Sequence, residues 1–151
     1  MLFSAGIIPY RFNKNGEMEF FLGHPGGNHW YNGNLWMFLK GCTIGDENWK
    51  DTAWREFSEE SNVTLPEELK EKLIPLGSVI QNRHKTTIAF GLEFGDIDAE
   101  KCHSNIADDG SCYEIDAYEW MNFKKVKEVT HPSHIGFYEQ LIKIYDDDYQ
   151  G

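Results

Sequence analysis

Glu56, Glu59 and Glu60 fall within five consecutive positions of REFSEES, residues 55–61. Residues three and four apart are neighbours on a helix, so a helix here crowds the three carboxylates along one edge. Like charges at that spacing cost about a few tenths of a kcal/mol per pair. The chain as a whole already carries a net charge of −11. Two kinds of chemistry relieve such crowding. The carboxylates can pair with Arg and Lys side chains on a solvated face. Alternatively they hold a hard divalent cation. Magnesium prefers oxygen ligands, keeps several waters, and is often bound by one or two carboxylates together with substrate phosphates.

The helix that carries these groups is marked at both ends. Asn48 is a capping residue, with Asp51 three positions on. Trp49, Ala53 and Phe57 recur at i, i+4 and i+8, and Trp54 widens the stripe. The glutamates fall on the edge beside that stripe. Asn62 follows, and Asn tolerates the left-handed conformation that ends helices.

Around this helix the chain alternates strand and turn signals. FSAGIIPYRF and MEFFLG read as a hairpin through NKNGE. Residues 24–34, HPGGNHWYNGN, form a long loop, and LWMFLKG a short strand. Residues 72–80 and 86–94 read as two more strands joined by QNRHK. GDIDAEKCHSNIADDGSC is a polar, irregular loop, and YEIDAYEWMNF ends in a short strand. FKKVKEV forms a brief helix broken before Pro132. Ser133 caps a last helix with apolar Tyr138, Leu141, Ile142 and Tyr145. This order predicts an α/β fold, a mixed sheet with helices on both faces.

From Gly41 the chain reads GCTIGDENWKDTAWREFSEESNV. That is Gly41, five residues, Glu47, seven residues, then Arg55-Glu56-Phe57-x-Glu59-Glu60-x-Asn62-Val63. This pattern resembles the Nudix box, the signature of the Nudix hydrolases, with Asn62 in place of the last glycine. WMFLKG and EIDAYEW also resemble flanking family segments, with Leu39 where proline is usual. The resemblance covers roughly residues 3–145. It implies a Nudix-type α/β/α sandwich and metal-dependent hydrolysis of a nucleoside diphosphate linked to another group.

By matching position, Glu56 and Glu60 are the implied main ligands of Mg²⁺ or Mn²⁺. Glu59 binds a second metal, orients the water, or serves as the base. The backbone carbonyl of Lys40 completes the site. Arg55 points partly away from the carboxylates and anchors a glutamate, and Glu47 serves the loop–helix structure. Glu114 is the implied general base. Lys40, Arg83 and Lys85 are candidate phosphate contacts, because an acidic protein needs local positive charge where a phosphate binds. Of Trp30, Tyr31 and Trp36, one offers a face on which a base stacks; Trp30 is the candidate, and Trp36 reads as core. His24, His29 and His84 read as polar loop residues.

Dinucleoside polyphosphates, ADP-ribose, FAD, NAD and nucleoside triphosphates are the implied substrates, with capped RNA ends chemically open. Loops 24–34 and 95–113 would set the selectivity. The alternative is a nucleotide-binding sensor without turnover. Sensors on this scaffold usually lose a box carboxylate, and here all are present.

The bulk numbers bound the rest. The 151 residues, 40% hydrophobic and 15% aromatic, suit a single domain over residues 1–151 with a real core. Strong acidity disfavours general nucleic-acid and membrane-surface binding, while a bound cation still permits a small anionic substrate. No apolar run reaches membrane-spanning length, and no basic region precedes the first apolar residues. Cys42, Cys102 and Cys112 form no CxxC pair and read as reduced, buried or half-buried thiols of a cytoplasmic protein. The N-terminal hairpin leaves a homodimer open.

Overall fold

Ile7 and Ile8 are both fully buried, as are Phe20, Phe21 and Leu22. Successive side chains of a strand point to opposite faces, so these strands are covered on both sides. The computed structural model describes residues 2–26, 35–104 and 114–146. Its elements are β1 (Leu2–Phe12), β2 (Met18–Pro25), β3 (Leu39–Cys42), α1 (Trp49–Ser61), β4 (Ile74–Asn82), β5 (Lys85–Glu93), β6 (Ile115–Asn122), α2 (Phe123–Val129) and α3 (Ile135–Tyr145). Short 3-10 turns occupy Glu67–Lys72, Ala99–Lys101 and Pro132–His134.

The strands form one mixed sheet in the order β4-β5-β1-β2-β6, with β3 also paired to β1. β1 and β5 run parallel, and the other pairs are antiparallel. β1 divides its partners along its length: Ser4–Ile7 pair with β3 and Tyr10–Phe12 with β2. Ala5, Ile7, Phe21, Leu39, Ile88 and Phe90 face α1 and pack with Ala53 and Phe57. Ile8, Tyr10, Phe20, Leu22 and Ala89 face the other side and pack with Val126 of α2 and Phe137, Tyr138 and Leu141 of α3. The result is the expected sandwich, a mixed sheet between helical layers.

The ends of α1 have local causes. The Asn48 side chain accepts the Asp51 N–H at 2.8 Å. Asn62 stops the helix at φ 59°, ψ 28°, and its N–H bonds the Ser58 carbonyl at 2.8 Å. A short polar side chain makes this left-handed turn cheap.

Several local expectations are corrected. Trp49 stacks on Phe3 with ring centroids 6.1 Å apart and is 49% exposed, because it opens the helix at the rim of the sheet. Thr52 takes the buried place instead. α3 begins at Ile135, after a 3-10 turn started by Pro132, so Ser133 does not cap it. Ser133 bonds the His131 ring at 2.7 Å. Tyr145 is 48% exposed, with its hydroxyl 2.6 Å from that of Tyr10. LWMFLKG is a strand only from Leu39; Met37 makes an isolated bridge to Gly23. The loop that was to begin at residue 24 starts later, since β2 runs to Pro25. Cys42 is exposed rather than buried, and Cys112 lies outside the described residues. No described helix is long and apolar enough to cross a membrane.

Phe57 pins the acidic helix to the sheet: it is fully buried and its ring lies 6.3 Å from Phe21. Phe57→Ala is expected to lower stability by about 3–5 kcal/mol in urea unfolding. A loss below about 1 kcal/mol would show that α1 is not held by this contact.

Candidate active site

The site begins where β3 hands the chain to α1. Arg55 organises the junction. Its Nε and Nη2 donate to the two carboxylate oxygens of Glu47 at 2.9 and 3.0 Å. Its Nη1 donates to Glu56 at 2.8 Å and Glu59 at 3.0 Å, and Nη2 also to the Cys42 carbonyl at 3.0 Å. Glu47 accepts further bonds from the Thr52 hydroxyl at 2.7 Å and the Ile44 N–H at 3.3 Å. Bonding to Arg55, ahead of Thr52 and Ile44, holds the Glu47 carboxyl down at about 2. Glu47 therefore ties the 43–48 loop to the helix. Arg55 does anchor a glutamate, but it does not point away from the carboxylate strip. Its long stem curls back over Glu56 and Glu59, the next residue and the one four positions on.

Gly41 explains itself by contact: a Cβ there would overlap the Glu56 carboxylate. Gly41→Ala is expected to push Glu56 off its place, costing about 1–3 kcal/mol in stability and most of the divalent-metal affinity. Titration of Mn²⁺ followed by electron paramagnetic resonance reads the second effect. Unchanged affinity would separate Glu56 from metal binding.

Glu60 is the most perturbed carboxylate of the three. Burial, then the charges of Glu56 and Glu114, push its pKa up to about 8, against the Lys40 ammonium and a backbone hydrogen bond from Lys40. Glu56 is raised chiefly by burial, partly offset by Arg55, with Glu59 and Glu114 adding. The fold thus brings Glu114, 54 positions from Glu60 in sequence, into the field of the helix carboxylates. Glu114 is fixed through its main chain, whose carbonyl accepts the Gly26 N–H at 2.9 Å. The Tyr118 hydroxyl donates to the Glu60 carbonyl and ties β6 to the end of α1.

Lys40 divides between two faces. Its backbone meets Glu60. Its side chain alternates with Leu39 and Gly41 and leaves β3 on the opposite face. There burial, and then the neighbouring Lys85, lower the Lys40 ammonium to about 7. His134 shares this pocket, held down at about 3 by burial and then by Lys40, His131 and Lys85. Its Nε2 lies 3.1 Å from the Gln81 side-chain oxygen, which also accepts the Thr87 hydroxyl at 3.0 Å. Sequence reasoning missed His131, His134 and Gln81. The only local hint was HPSHIG, with two histidines three apart just past the β6–α2 segment.

The other candidates scatter. Arg83 occupies the exposed β4–β5 turn, where its Nε donates to His84 at 3.0 Å. The charges acting most strongly on Glu60, Lys40 and His134 do not include it. Trp36 is half-buried, its ring 5.2 Å from His24, whose Nδ1 lies 2.7 Å from Asp116. Trp30, Tyr31 and His29 lie outside the described residues.

Among the described residues, no three His, Cys, Asp or Glu side chains already converge as a metal cage. Arg55 occupies one oxygen each of Glu56 and Glu59. The donor set nevertheless suits a hard divalent cation. It is all oxygen, and the charges of two further carboxylates, Glu56 and Glu114, act on Glu60, a field that a cation stabilises.

No known protein-family model matches the chain, and no curated protein matches it in sequence. Solved structures do match in fold. A Caenorhabditis elegans Ap4A hydrolase in a binary complex superposes with a TM-score of 0.67 at 18% identity, over 99% of this chain and 100% of that one. A protein described as a NUDIX hydrolase from Listeria monocytogenes gives a TM-score of 0.70 at 18% identity, over 99% and 98%. The NUDIX domain of Shewanella oneidensis NrtR complexed with ADP ribose gives 0.66 at 14% identity, over 94% and 88%. At such identities the likeness is one of fold, and the fold shared is that of Nudix hydrolases.

Proposed function

We propose that this protein hydrolyses a pyrophosphate bond in a nucleoside diphosphate linked to another group, using Mg²⁺ or Mn²⁺. The observation that carries this reading is the acidic edge of α1, where Arg55 gathers Glu56 and Glu59 beside Glu60 and the charges of Glu56 and Glu114 act on Glu60. Perturbed carboxylates grouped in this way mark functional sites. Glu56, Glu60 and the main-chain carbonyl of Lys40 would hold the ion, with Glu59 at its solvent side. Bound there, the ion supplies charge neutralisation for the phosphoryl oxygens and acidifies a water. Glu114 takes the proton of the attacking water, and Glu59 is the alternative base. Arg55 contributes by orientation, since its fork fixes where Glu56 and Glu59 stand.

Lys85 is the proposed phosphate contact of the pair; Lys40, buried on the face of β3 away from α1 with its ammonium lowered to about 7, contributes only a partial charge at neutral pH. Arg83, at the β4–β5 turn, adds charge. Trp30, by residue type, supplies a stacking face for a base. The two ligand-naming structural matches make dinucleoside polyphosphates and ADP-ribose the first substrates to try. Free Cys42 and Cys102 suit a reducing cytoplasm. A homodimer through the β1–β2 hairpin completes the reading.

The test is a panel of diadenosine polyphosphates, ADP-ribose, FAD, NAD and nucleoside triphosphates, with Mg²⁺ and with chelator. Metal-dependent release of a nucleoside phosphate is expected on at least one. Tight nucleotide binding with no turnover across the panel would make the protein a sensor instead.

A further inference from the structure

Asn62 does more than end a helix. A glycine would serve the left-handed turn as well, yet the Asn62 side chain makes a bond that glycine cannot. Its Nδ2 lies 2.8 Å from His103 Nε2. An amide nitrogen only donates, so the ring nitrogen accepts in this bond. The His103 N–H also bonds the Ser61 carbonyl at 3.2 Å. Two adjacent residues at the end of α1 therefore grip one residue of the 95–104 segment.

The grip continues to the next residue. Ser104 is 2% exposed, and its hydroxyl accepts the Ile115 N–H at 2.8 Å and donates to the Ile115 carbonyl at 3.3 Å. Ile115 is the first residue of β6 and follows Glu114 directly. Hydrogen bonds and peptide links thus connect Asn62 through His103, Ser104 and Ile115 to Glu114, whose charge acts on Glu56 and Glu60.

We infer that Asn62 is a positioning residue that, through His103 and Ser104, holds Glu114 against the acidic face of α1. The inference rests on the proposed role of Glu114 as base. It gives a purpose to the one departure within the Nudix-like box. The side chain added at the turn latches the base-bearing segment to the helix that carries the metal ligands.

Asn62→Gly tests this cleanly, because glycine keeps the left-handed turn and removes only the latch. A displacement of Glu114 by about 1 Å is enough to lower kcat by roughly 10–100-fold. KM should hold, since no substrate contact is lost. Hydrogen exchange at the Ile115 amide should speed up in the metal-free protein, while the thermal midpoint stays unchanged. His103→Ala should repeat both effects, and the double variant should be no worse than either single one. In a Glu114→Gln background, Asn62→Gly should cost nothing further. If Glu114→Gln loses kcat but Asn62→Gly keeps wild-type kcat and Ile115 exchange, the latch is wrong. If Glu114→Gln itself keeps wild-type kcat, the base assignment is wrong, and the latch loses its purpose even where Ile115 exchange rises.

Discussion

Glu60→Gln is expected to lower kcat by about 10³-fold or more, because in the proposed mechanism it removes an anionic ligand from a metal that would supply several kcal/mol of transition-state stabilisation. The same change should strengthen the metal-free protein at alkaline pH. The Glu60 carboxyl is displaced from its ordinary 4.5 to about 8 by burial and by Glu56 and Glu114. The folded state therefore holds this proton more tightly than the unfolded chain does. Below the unfolded value the carboxyl is neutral in both states and costs nothing. As pH rises from about 4.5 to about 8, the unfolded chain releases this proton while the fold keeps it, and stability drains away. In chelator, wild-type thermal stability should fall between pH 5 and pH 9, and the Gln variant should fall less. Added Mg²⁺ should restore the wild type at pH 9 and leave the variant unmoved. Parallel pH curves for the two proteins would mean that Glu60 does not carry this strain.

Arg55 carries the second large effect. Its guanidinium makes five hydrogen bonds, to Glu47 twice, Glu56, Glu59 and the Cys42 carbonyl. Lysine is a point charge and cannot reproduce that planar fork. With the Arg55 side chain 24% exposed and that of Glu47 18%, Arg55→Lys is expected to cost about 2 kcal/mol and Arg55→Ala about 3. With Glu56 and Glu59 as the proposed metal ligands, removing the group that orients them is expected also to cost about 10–100-fold in activity or metal affinity. The two losses should part company in the Lys variant, whose retained charge spares stability more than geometry. Urea unfolding and Mn²⁺ titration on the same samples check this. An Arg55→Lys protein with wild-type metal affinity would reduce Arg55 to a loop tether.

What the sequence showed plainly was local. Asn48 and Asn62 bracket α1 through bonds to their own near neighbours, and the glutamate strip follows from helical spacing alone. Runs of apolar and aromatic residues bounded by turn signals likewise marked the two-sided strands. What escaped depends on partners far along the chain. Nothing near β1 announces its parallel pairing with β5, and that pairing brings Lys85 to Lys40. Spacing to Gly41 placed the Lys40 backbone, but only the sheet shows its side chain on the other face with His134. Trp49 and Tyr145 fit the apolar stripes and yet lie at the rim, where the helices overhang the sheet. Arg55 was misdirected because a helical wheel fixes where Cα–Cβ points, not where a flexible guanidinium comes to rest.

The most direct test of the central claim is a Mg²⁺-dependent reaction with diadenosine tetraphosphate and ADP-ribose in ¹⁸O-labelled water, run on wild type and Glu60→Gln, with products identified by mass. The expected result is nucleotide products from at least one substrate, with one ¹⁸O on a phosphate, formed by the wild type and nearly absent with the variant. Equal turnover by both proteins would contradict a metal site on α1, and no turnover by either would contradict hydrolysis of these substrates.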